Sequence, residues 1–381
     1  MNEATFMIRA RDPIMLRDGR PFSANPGSRA ESLDWPLPST LAGAIRTFLG
    51  NMNNFNWQHD GPAKARSIQV QGPLMLVQNP AEEWQYYCNA PADAVIYRDT
   101  NGSQQIMRLS PLRYSTSAGC NIPCDLLPLS VRQDAKPTTD FPFWQLDDTI
   151  TWLADEDAAP ENMQQRLPKE ARIHIKINRE TGATEEGKLF TTISLCLPDI
   201  KVKQDQPFPV SLLCRMRTDE QFELGEKSLI TLGGERRAVM LENSATPWPT
   251  CPNRLKAVAS GHALKLQLIT PALFEEGWKP AWLNRTPTTI ADTGVEISRL
   301  VSAAIPRRIP VSGWDYEKKK AKPARYACPA GSVFFFETKD TITPEMLEKL
   351  WFSSICDDRQ ANMDGFGLVV PGIWKYASEE K

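Results

Sequence analysis

Cationic side chains are concentrated in three stretches of the sequence, and guanidinium and ammonium groups bind phosphate through charge and hydrogen bonds. The first stretch places Arg17 and Arg20 in a charged turn, which is followed by a predicted helix over residues 39–49. Arg46 belongs to that helix, whose apolar residues recur at i, i+3, i+4 and i+7. We interpret turn and helix as an anion-binding segment; a core helix after a surface turn would give the same local pattern.

The amino end of this helix is a second source of anion-binding groups. Pro38 cannot extend the helix backward, Ser39 or Thr40 can cap its free backbone amides, and Gly50 is predicted to end it. Free N–H groups and the helix dipole favour negative charge at this end. We therefore expect Ser39 and Thr40 to donate hydroxyl and backbone hydrogen bonds to a bound phosphate.

The second stretch, LITLGGERRAVML, joins two adjacent glycines to two adjacent arginines. Gly233 and Gly234 allow the backbone to approach a phosphate or a base closely. Arg236 and Arg237 supply planar cations for phosphate binding or stacking. A glycine-rich bulge with solvent-facing arginines would have the same sequence.

The third stretch interleaves cations with aromatic rings between Arg307 and Arg325. It contains seven basic and two acidic residues, so its local charge is 7 − 2 = +5. Single-stranded nucleic acid is bound by neutralising phosphates and stacking on bases, and this composition supplies both. A mobile lysine-rich surface loop is the open alternative.

The candidate contacts here are Trp314, Lys318, Lys319, Lys320, Lys322 and Arg325. Phe22, in the first stretch, is an alternative stacking residue to Trp314.

The overall composition limits where such binding can occur. The 381 residues carry a net charge of −2, and the pI is near 6.1, which excludes a uniformly basic nucleic-acid coat. Residues 139–161 contain seven acidic and no basic residues, so we expect nucleic acid to avoid that surface. This acidic segment is either a solvated loop or a face for a protein partner.

The sequence shows no constellation typical of a metal or cofactor site, and we expect neither. Cys120 and Cys124 form a lone C-x3-C pair without a nearby histidine, which favours simple thiols over zinc. His59, His174 and His262 are far apart, and no G-x-x-x-x-G-K-[ST] loop occurs. The amino end lacks the features of a signal peptide, and no apolar run is long enough to span a membrane. We therefore expect a cytoplasmic protein with reduced cysteines.

The order of strand-like and helix-like segments predicts an α+β fold with two domains, residues 1–250 and 251–381. The first domain begins strand, helix, strand, and it contains a poorly patterned insertion at about 84–170. A clear hairpin follows at 171–197. The second domain reads β-α-β-β-α-β, with its first helix placed weakly around 271–283, and this is the order of the ferredoxin-like unit.

Several of these motifs resemble one family. The segments DPIMLRDGRPF and PLPSTLAGAIRTFLG are similar to the amino-terminal signature of the third RAMP subunit of the type III-B CRISPR effector, the Cmr complex. The segments RIHIKINRETGATEEGKLF, LGGERR, SGWDYEKKKAKPARYACPAGSVFFFE and DGFGLVVPGIW follow in that family's order. The resemblance extends over nearly the whole chain in blocks, but it does not extend to residues 84–170.

The resemblance implies two ferredoxin-like RAMP domains at the foot of a large complex. Members of the family hold the 5′ repeat-derived tag of the CRISPR RNA, dock against the large polymerase-like subunit and adjoin other RAMP subunits. They are not known as the nuclease of the complex. The resemblance therefore implies a non-catalytic, RNA-binding subunit of an antiviral complex, without a membrane partner.

Two other functions remain open from the residues alone. Some RAMP relatives are metal-independent endoribonucleases that process CRISPR RNA, and such cleavage needs a general base and a general acid. His59 with Lys64, or Tyr316 with Lys318, would have to fill those roles, although their spacing does not support it. Alternatively, the chain is mainly a protein-interaction wedge whose basic loop binds acidic protein.

Overall fold

In the computed structural model, the described residues are 2–17, 28–113, 122–123, 125–131, 133–138, 140–155, 159–198, 208–222, 226–290, 293–315 and 318–377, with the backbone alone at 28 and 186–188. These residues form an α+β fold dominated by β-sheet. Several residues named above lie outside the described ranges: Arg20, Phe22, Cys120, Cys124 and Tyr316.

The strands and helices have the following bounds in chain order. The strands before the midpoint are β1 (Asn2–Ala10), β2 (Ser28–Ala30), β3 (Gln69–Gln78), β4 (Trp84–Asn89), β5 (Ala94–Arg98), β6 (Gln104–Arg108), β7 (Ser110–Pro111), β8 (Leu129–Ser130), β9 (Phe143–Gln145), β10 (Met163–Gln164), β11 (Lys169–Ile177) and β12 (Thr184–Leu195). The later strands are β13 (Val210–Thr218), β14 (Lys227–Thr231), β15 (Ala238–Asn243), β16 (Ala263–Leu268), β17 (Thr289–Ile290), β18 (Val295–Ala304), β19 (Ile309–Val311), β20 (Trp314–Asp315), β21 (Lys320–Ala321), β22 (Arg325–Ala327), β23 (Val333–Thr338) and β24 (Val369–Ile373). The α-helices are α1 (Pro38–Met52), α2 (Gly61–Ser67), α3 (Leu146–Leu153), α4 (Asn253–Ala257), α5 (Pro344–Leu350) and α6 (Arg359–Met363), and a 3-10 helix covers Ala281–Asn284.

The larger sheet is antiparallel and has the strand order β10-β9-β4-β3-β13-β1-β15-β14. Side chains alternate between its faces along β3. Met75 and Val77 join a core that contains Ile45 of α1, whereas Leu74 and Leu76 join a core shared with the second sheet. Both faces of β3 are therefore covered, one by α1 and the other by the carboxy-terminal half of the chain.

The second sheet has the strand order β17-β18-β23-β16-β24 and is also antiparallel. The apolar run of β23 is buried on both faces. Phe334 and Phe336 belong to the core shared with the larger sheet, while Val333 and Phe335 pack in a smaller cluster on the opposite face. The predicted domain boundary at residue 250 falls in the segment that connects the two sheets.

The segment 84–170 was expected to be a poorly patterned insertion, but its described residues include short strands and helix α3, and they join the two sheets. Its strands β4, β9 and β10 extend the larger sheet. Its loops contact the second sheet, because Leu127 donates a backbone hydrogen bond to Val301 (2.8 Å) and Ala92 donates one to Gly331 (2.8 Å). The segment is thus a bridge between the halves of the molecule.

Three local predictions need correction. Helix α1 extends past Gly50 to Met52, and its N-cap is Leu37, which provides no side-chain cap. The segment 271–283, expected to be helical, contains Pro271, Gly277 and Pro280, and it forms isolated bridges before the 3-10 helix. The single strand expected at 298–311 is divided into β18 and β19.

A buried charge network lies where the bridging segment meets the second sheet. The side chain of Lys265 on β16 is 1% exposed; its Nζ lies 3.3 Å from Asp93 Oδ2 and donates to the Trp152 carbonyl at 3.1 Å. Trp152 Nε1 donates to the other oxygen of Asp93 at 2.8 Å, so both carboxylate oxygens are bound. Desolvation lowers the pKa of Lys265 to about 8, against the attraction of Asp93.

The lowered pKa of Lys265 makes stability depend on pH. Between pH 7 and 9 the unfolded chain retains a proton that the folded protein progressively loses, so the free energy of unfolding gains about 1 kcal/mol from this group as pH rises. A Lys265→Met/Asp93→Asn variant lacks this gain but keeps every titratable group outside this pair. Urea unfolding of both proteins at pH 7 and 9 measures the difference, and equal pH dependences would contradict the assignment.

Candidate nucleic-acid interface

The first and second cationic stretches meet in space. The backbone N–H of Gly234 donates to the carbonyl oxygen of Met15 at 2.8 Å, which joins the start of the front segment to the β14–β15 turn. Arg17 is exposed two residues further along, where its backbone pairs with Ser32. After the undescribed residues 18–27, β2 pairs in parallel with β12. The structure therefore places Arg17 and the arginine pair of the turn on neighbouring segments.

The two arginines of the turn have different surroundings. Arg237 is mostly buried and its Nη2 binds Glu235 Oε2 at 2.5 Å. Arg236 is exposed and has no hydrogen bond or ion pair with any described residue. Glu235 and Arg236 have left-handed backbones, with φ of +57° and +52°, which side chains with a Cβ rarely adopt. The turn thus presents one uncompensated guanidinium, that of Arg236, on a strained backbone.

The paired glycines approach protein backbone rather than open space. Gly233 has φ of +76°, and a Cβ added there would lie 2.5 Å from the carbonyl oxygen of Met15. Gly234 forms the hydrogen bond to that same carbonyl. The expected close approach therefore occurs, but its partner in the structure is Met15, because the turn packs on the end of the front segment.

Arg46 is buried and fully engaged in joining the two halves of the chain. Its side chain is 9% exposed; Nε and Nη2 donate to the carbonyl oxygen of Ile68 at 3.0 and 2.7 Å, and Nη2 also donates to that of Met363 at 3.0 Å. Nη1 binds the carboxylate of Asp364, which also lies in the carboxy-terminal half. This placement argues against the predicted RNA contact of Arg46, since a phosphate could reach it only by breaking these bonds.

The glycine next to Asp364 explains how closely the halves approach here. Gly365 has φ of +90°, and a Cβ at this position would lie 2.6 Å from the carbonyl oxygen of Val70 on β3. Only glycine fits such a contact without displacing backbone. The motif DGFG near the end of the chain therefore forms an inter-sheet contact, with Asp364 bound to Arg46.

Ser39 and Thr40 lie in the first turn of α1 and are half-buried. The expected side-chain cap is wrong, because the N-cap residue is Leu37, whose carbonyl oxygen accepts from the N–H groups of Thr40 (3.0 Å) and Leu41 (3.3 Å). A contact of Ser39 or Thr40 with phosphate stays a prediction.

The described residues of the third cationic stretch, 309–315 and 318–327, form two short antiparallel ladders, and we call them the basic arm. Strand β19 pairs with β22 at its base, and β20 pairs with β21 further out. The hydrogen bond from Lys322 N–H to the Gly313 carbonyl (2.8 Å) connects the two ladders. Val311 and Ala327 anchor the base in the shared core, whereas Trp314 is 53% exposed.

Most cations of the basic arm lack a carboxylate partner. Within the described part of the arm and its surroundings, no ion pair involves the exposed side chains of Lys318, Lys319, Lys320 or Lys322. Arg325 is the exception, because its Nη1 lies 3.2 Å from Asp358 Oδ2. Uncompensated cations on a chain of net charge −2 create a local positive field of the kind that attracts phosphate.

Helix α6 connects the basic arm to α1. Asp358, which binds Arg325, also caps α6 by accepting the N–H of Gln360 at 2.8 Å. Asp364, at the other end of α6, binds Arg46 of α1. The arm thus contacts α6, whereas the 233–236 turn contacts the segment at Met15. A single groove lined by both stays a prediction.

Comparison with known proteins identifies the family. A family model for the CRISPR-associated protein Cas_Cmr3 matches residues 6–374. The chain belongs to the Cas_Cmr3 family. The match confirms the resemblance to the third RAMP subunit of the Cmr complex that the sequence motifs indicated. A comparison with curated proteins finds no significant sequence match.

Solved structures similar to this Cas_Cmr3 chain come from type III CRISPR complexes. A chain of the type III-B Cmr-beta complex bound to cognate target RNA and AMPPnP has 16% identity and a TM-score of 0.46, with 87% of this chain and 86% of that chain covered. A chain of the same complex bound to cognate target RNA alone has 17% identity and a TM-score of 0.43 over the same shares. A chain of the type III-A Csm3-Csm4 subcomplex has 11% identity and a TM-score of 0.31, covering 89% and 94%.

Two histidines of this Cas_Cmr3 chain interact with neighbouring protein groups. His174 Nε2 lies 2.9 Å from Thr192 Oγ1, and His262 Nδ1 lies 3.1 Å from the Thr338 carbonyl. Across the described residues, no group of three or more His, Cys, Asp and Glu could hold a metal ion. No helix in the same residues is long and apolar enough to cross a membrane.

Sequence patterns did not identify the carboxylates that pair with Arg46 and Arg325. Asp364 and Asp358 bind Arg46 and Arg325, which lie far away in the sequence, so no local spacing relates either pair. One usable signal existed for Asp358, because aspartate before a short helix is a common N-cap. The sequence also gave no signal for the cation–π contact between Arg308 and Tyr326, in which the Arg308 Cζ lies 3.9 Å from the ring centroid.

Replacing Arg46 should destabilise this Cas_Cmr3 chain. Arg46→Ala leaves Asp364 and two backbone carbonyls without their partner, so we expect the free energy of unfolding to fall by about 3–5 kcal/mol. Arg46→Lys keeps the charge but cannot make all four bonds, and its loss should be intermediate. The exposed Arg236→Ala is the control, with an expected change within about 0.5 kcal/mol. Unchanged stability of Arg46→Ala in urea titrations would contradict the assigned role.

Proposed function

We propose that this chain is a non-catalytic, cytoplasmic subunit of a type III-B (Cmr) effector complex that binds the CRISPR RNA and holds its 5′ repeat-derived tag. In the same proposal it docks the large polymerase-like subunit and adjoins other RAMP subunits. Membership of the Cas_Cmr3 family and the motifs shared with the third RAMP subunit support the assignment.

We further propose that both sheets derive from ferredoxin-like units, with domains at 1–250 and 251–381. In the larger sheet, β3-β13-β1-β15 reads second, third, first and fourth in chain order. In the second sheet, β18-β23-β16-β24 reads the same way. This shared strand order supports two related ferredoxin-like units, each of which would have two helices. The first unit has α1 after β1 and the second has α5 after β23, so in each unit one of the two helices is short or missing among the described residues.

The observation that carries the RNA-binding proposal is the set of uncompensated cations. Four lysines of the basic arm, together with Arg236 of the turn, are exposed and unpaired among the described residues, although acidic residues outnumber basic ones in the chain. Four unpaired lysines on one short element create a local positive field that attracts phosphate. Arg17, which lies near this turn, remains a candidate tag contact. Arg20 remains one from the sequence alone, and Arg46 is not among the candidates.

The endoribonuclease alternative gains no supporting observation. Lys64, one candidate acid, pairs with Asp60 at 2.8 Å, and His59 lies in the exposed segment that precedes α2. The other candidate pair includes Tyr316, which is outside the described residues. We therefore keep the non-catalytic role as the proposal.

Neutralising the arm lysines should weaken RNA binding and its salt dependence. We expect the full chain with Lys318, Lys319, Lys320 and Lys322 changed to Gln to bind tag-bearing CRISPR RNA less tightly than wild type. The slope of log affinity against log salt should become shallower by about 0.7 for each phosphate that the variant no longer neutralises. Fluorescence anisotropy across a salt series measures both quantities, and RNA without the tag measures the tag's contribution.

A matched control removes the same charge from lysines that already have partners. Lys64, Lys176, Lys227 and Lys339 pair with Asp60, Glu185, Glu242 and Glu296. The control variant, in which these four lysines are changed to Gln, has the same net charge as the arm variant. A general charge effect would therefore weaken RNA binding equally in both variants. Equal weakening, or none in the arm variant, would contradict the proposal. A discrete RNA cleavage product in these reactions, run in EDTA, would contradict the non-catalytic role.

A further inference from the structure

The basic arm exposes aromatic rings that neither the fold nor phosphate binding requires. Trp314 is 53% exposed and Tyr326 is 54% exposed. The base of the arm is buried through Val311 and Ala327, so the rings do not supply its anchoring core. Aromatic side chains gain most from burial, and their exposure on a projecting element indicates a binding surface.

One of these rings already forms a composite platform. The guanidinium carbon of Arg308 lies 3.9 Å from the centroid of the Tyr326 ring, and more than half of the tyrosine nevertheless remains exposed. The cation–π contact restricts both side chains, which lowers the entropy that a ligand must remove on binding. An arginine plane and an aromatic ring are the two groups on which unpaired bases stack in protein–RNA complexes.

The charges around the rings fit the same class of ligand. Trp314 on β20 is opposite Ala321 on β21, in a ladder that also contains Lys320. Lys318, Lys319 and Lys322 are exposed on the same arm, and none of them has an ion pair among the described residues. Stacking surfaces set among free cations match a strand whose bases and phosphates are both accessible. In a duplex the bases stack on each other, so the rings would have no partner.

We propose that Trp314 and the Arg308–Tyr326 pair are stacking platforms for unpaired bases of a single-stranded RNA. The arm lysines bind the phosphates of the same strand. This inference rests on the proposed RNA-binding function and deepens it, because it assigns to the arm a contact with bases as well as with charge. Stacking is tolerant of base identity, so these platforms recognise single-strandedness rather than sequence.

RNA with and without bases separates the two kinds of contact. The full chain is titrated with an unstructured RNA and with an RNA of the same length in which every nucleotide is abasic. Trp314→Ala and Tyr326→Ala should each weaken binding of the ordinary RNA about tenfold, with no change for the abasic RNA. Trp314→Phe should restore most of the affinity. Trp57→Ala, which removes an exposed ring elsewhere in the chain, is the matched control.

The outcomes distinguish this inference from the function on which it rests. Equal losses on both RNAs, or no loss in either aromatic variant while the arm-lysine variant still binds weakly, would overturn the stacking role and leave RNA binding intact. Unchanged RNA binding in both aromatic and lysine variants would overturn both proposals. If those variants then failed to enter the assembled complex, the arm would be a protein contact.

Discussion

The contact of Arg46 with Asp364 is the interaction on which the arrangement of the molecule depends. It joins the middle of α1 to the DGFG segment that precedes β24, across 318 positions of sequence. The approach of Gly365 to the Val70 carbonyl brings the carboxy-terminal half against β3 at the same place. Helix α6 extends from this contact to Asp358, which pairs with Arg325 of the basic arm, while Val311 and Ala327 anchor the base of the arm in the shared core.

The cations of the structure differ in whether they have a partner. Lys265 and Arg46 are buried with carboxylates and carbonyls around them, so they stabilise the contacts between the halves. Among exposed lysines, Lys339 and Lys227 have acidic neighbours, whereas Lys136, Lys349 and the arm lysines have no ion pair with a described residue. The arm lysines differ from Lys136 and Lys349 because they lie together on one element, and the proposed RNA contacts are drawn from them and from Arg236. The net charge of the chain conceals this division, because pairing is a local property.

Local sequence signals predicted the elements that depend on local physics. The apolar spacing in α1, the alternation in the β11–β12 hairpin, and the Thr343 cap with Pro344 all correspond to observed features, and Thr343 Oγ1 accepts the N–H of Met346 at 3.3 Å. Segments that depend on distant contacts were not predictable in this way. The segment 84–170 lacks a clean period because its short strands pack against two different sheets. The same reason explains why the RNA contact predicted for Arg46 lacks support. Its helix follows a basic turn in the sequence, but its partners Met363 and Asp364 lie near the other end of the chain.

We propose that RNA contacts the unpaired cations of the basic arm and of the 233–236 turn, and not the lysines that are paired with carboxylates. Photocrosslinking of 4-thiouridine-labelled CRISPR RNA in the assembled complex, followed by mass spectrometry of the crosslinked peptides, tests it most directly. We expect crosslinks in peptides of the basic arm and of the 233–236 turn. Crosslinks confined to peptides around Lys176, Lys227 and Lys339, with none in the arm or the turn, would contradict it.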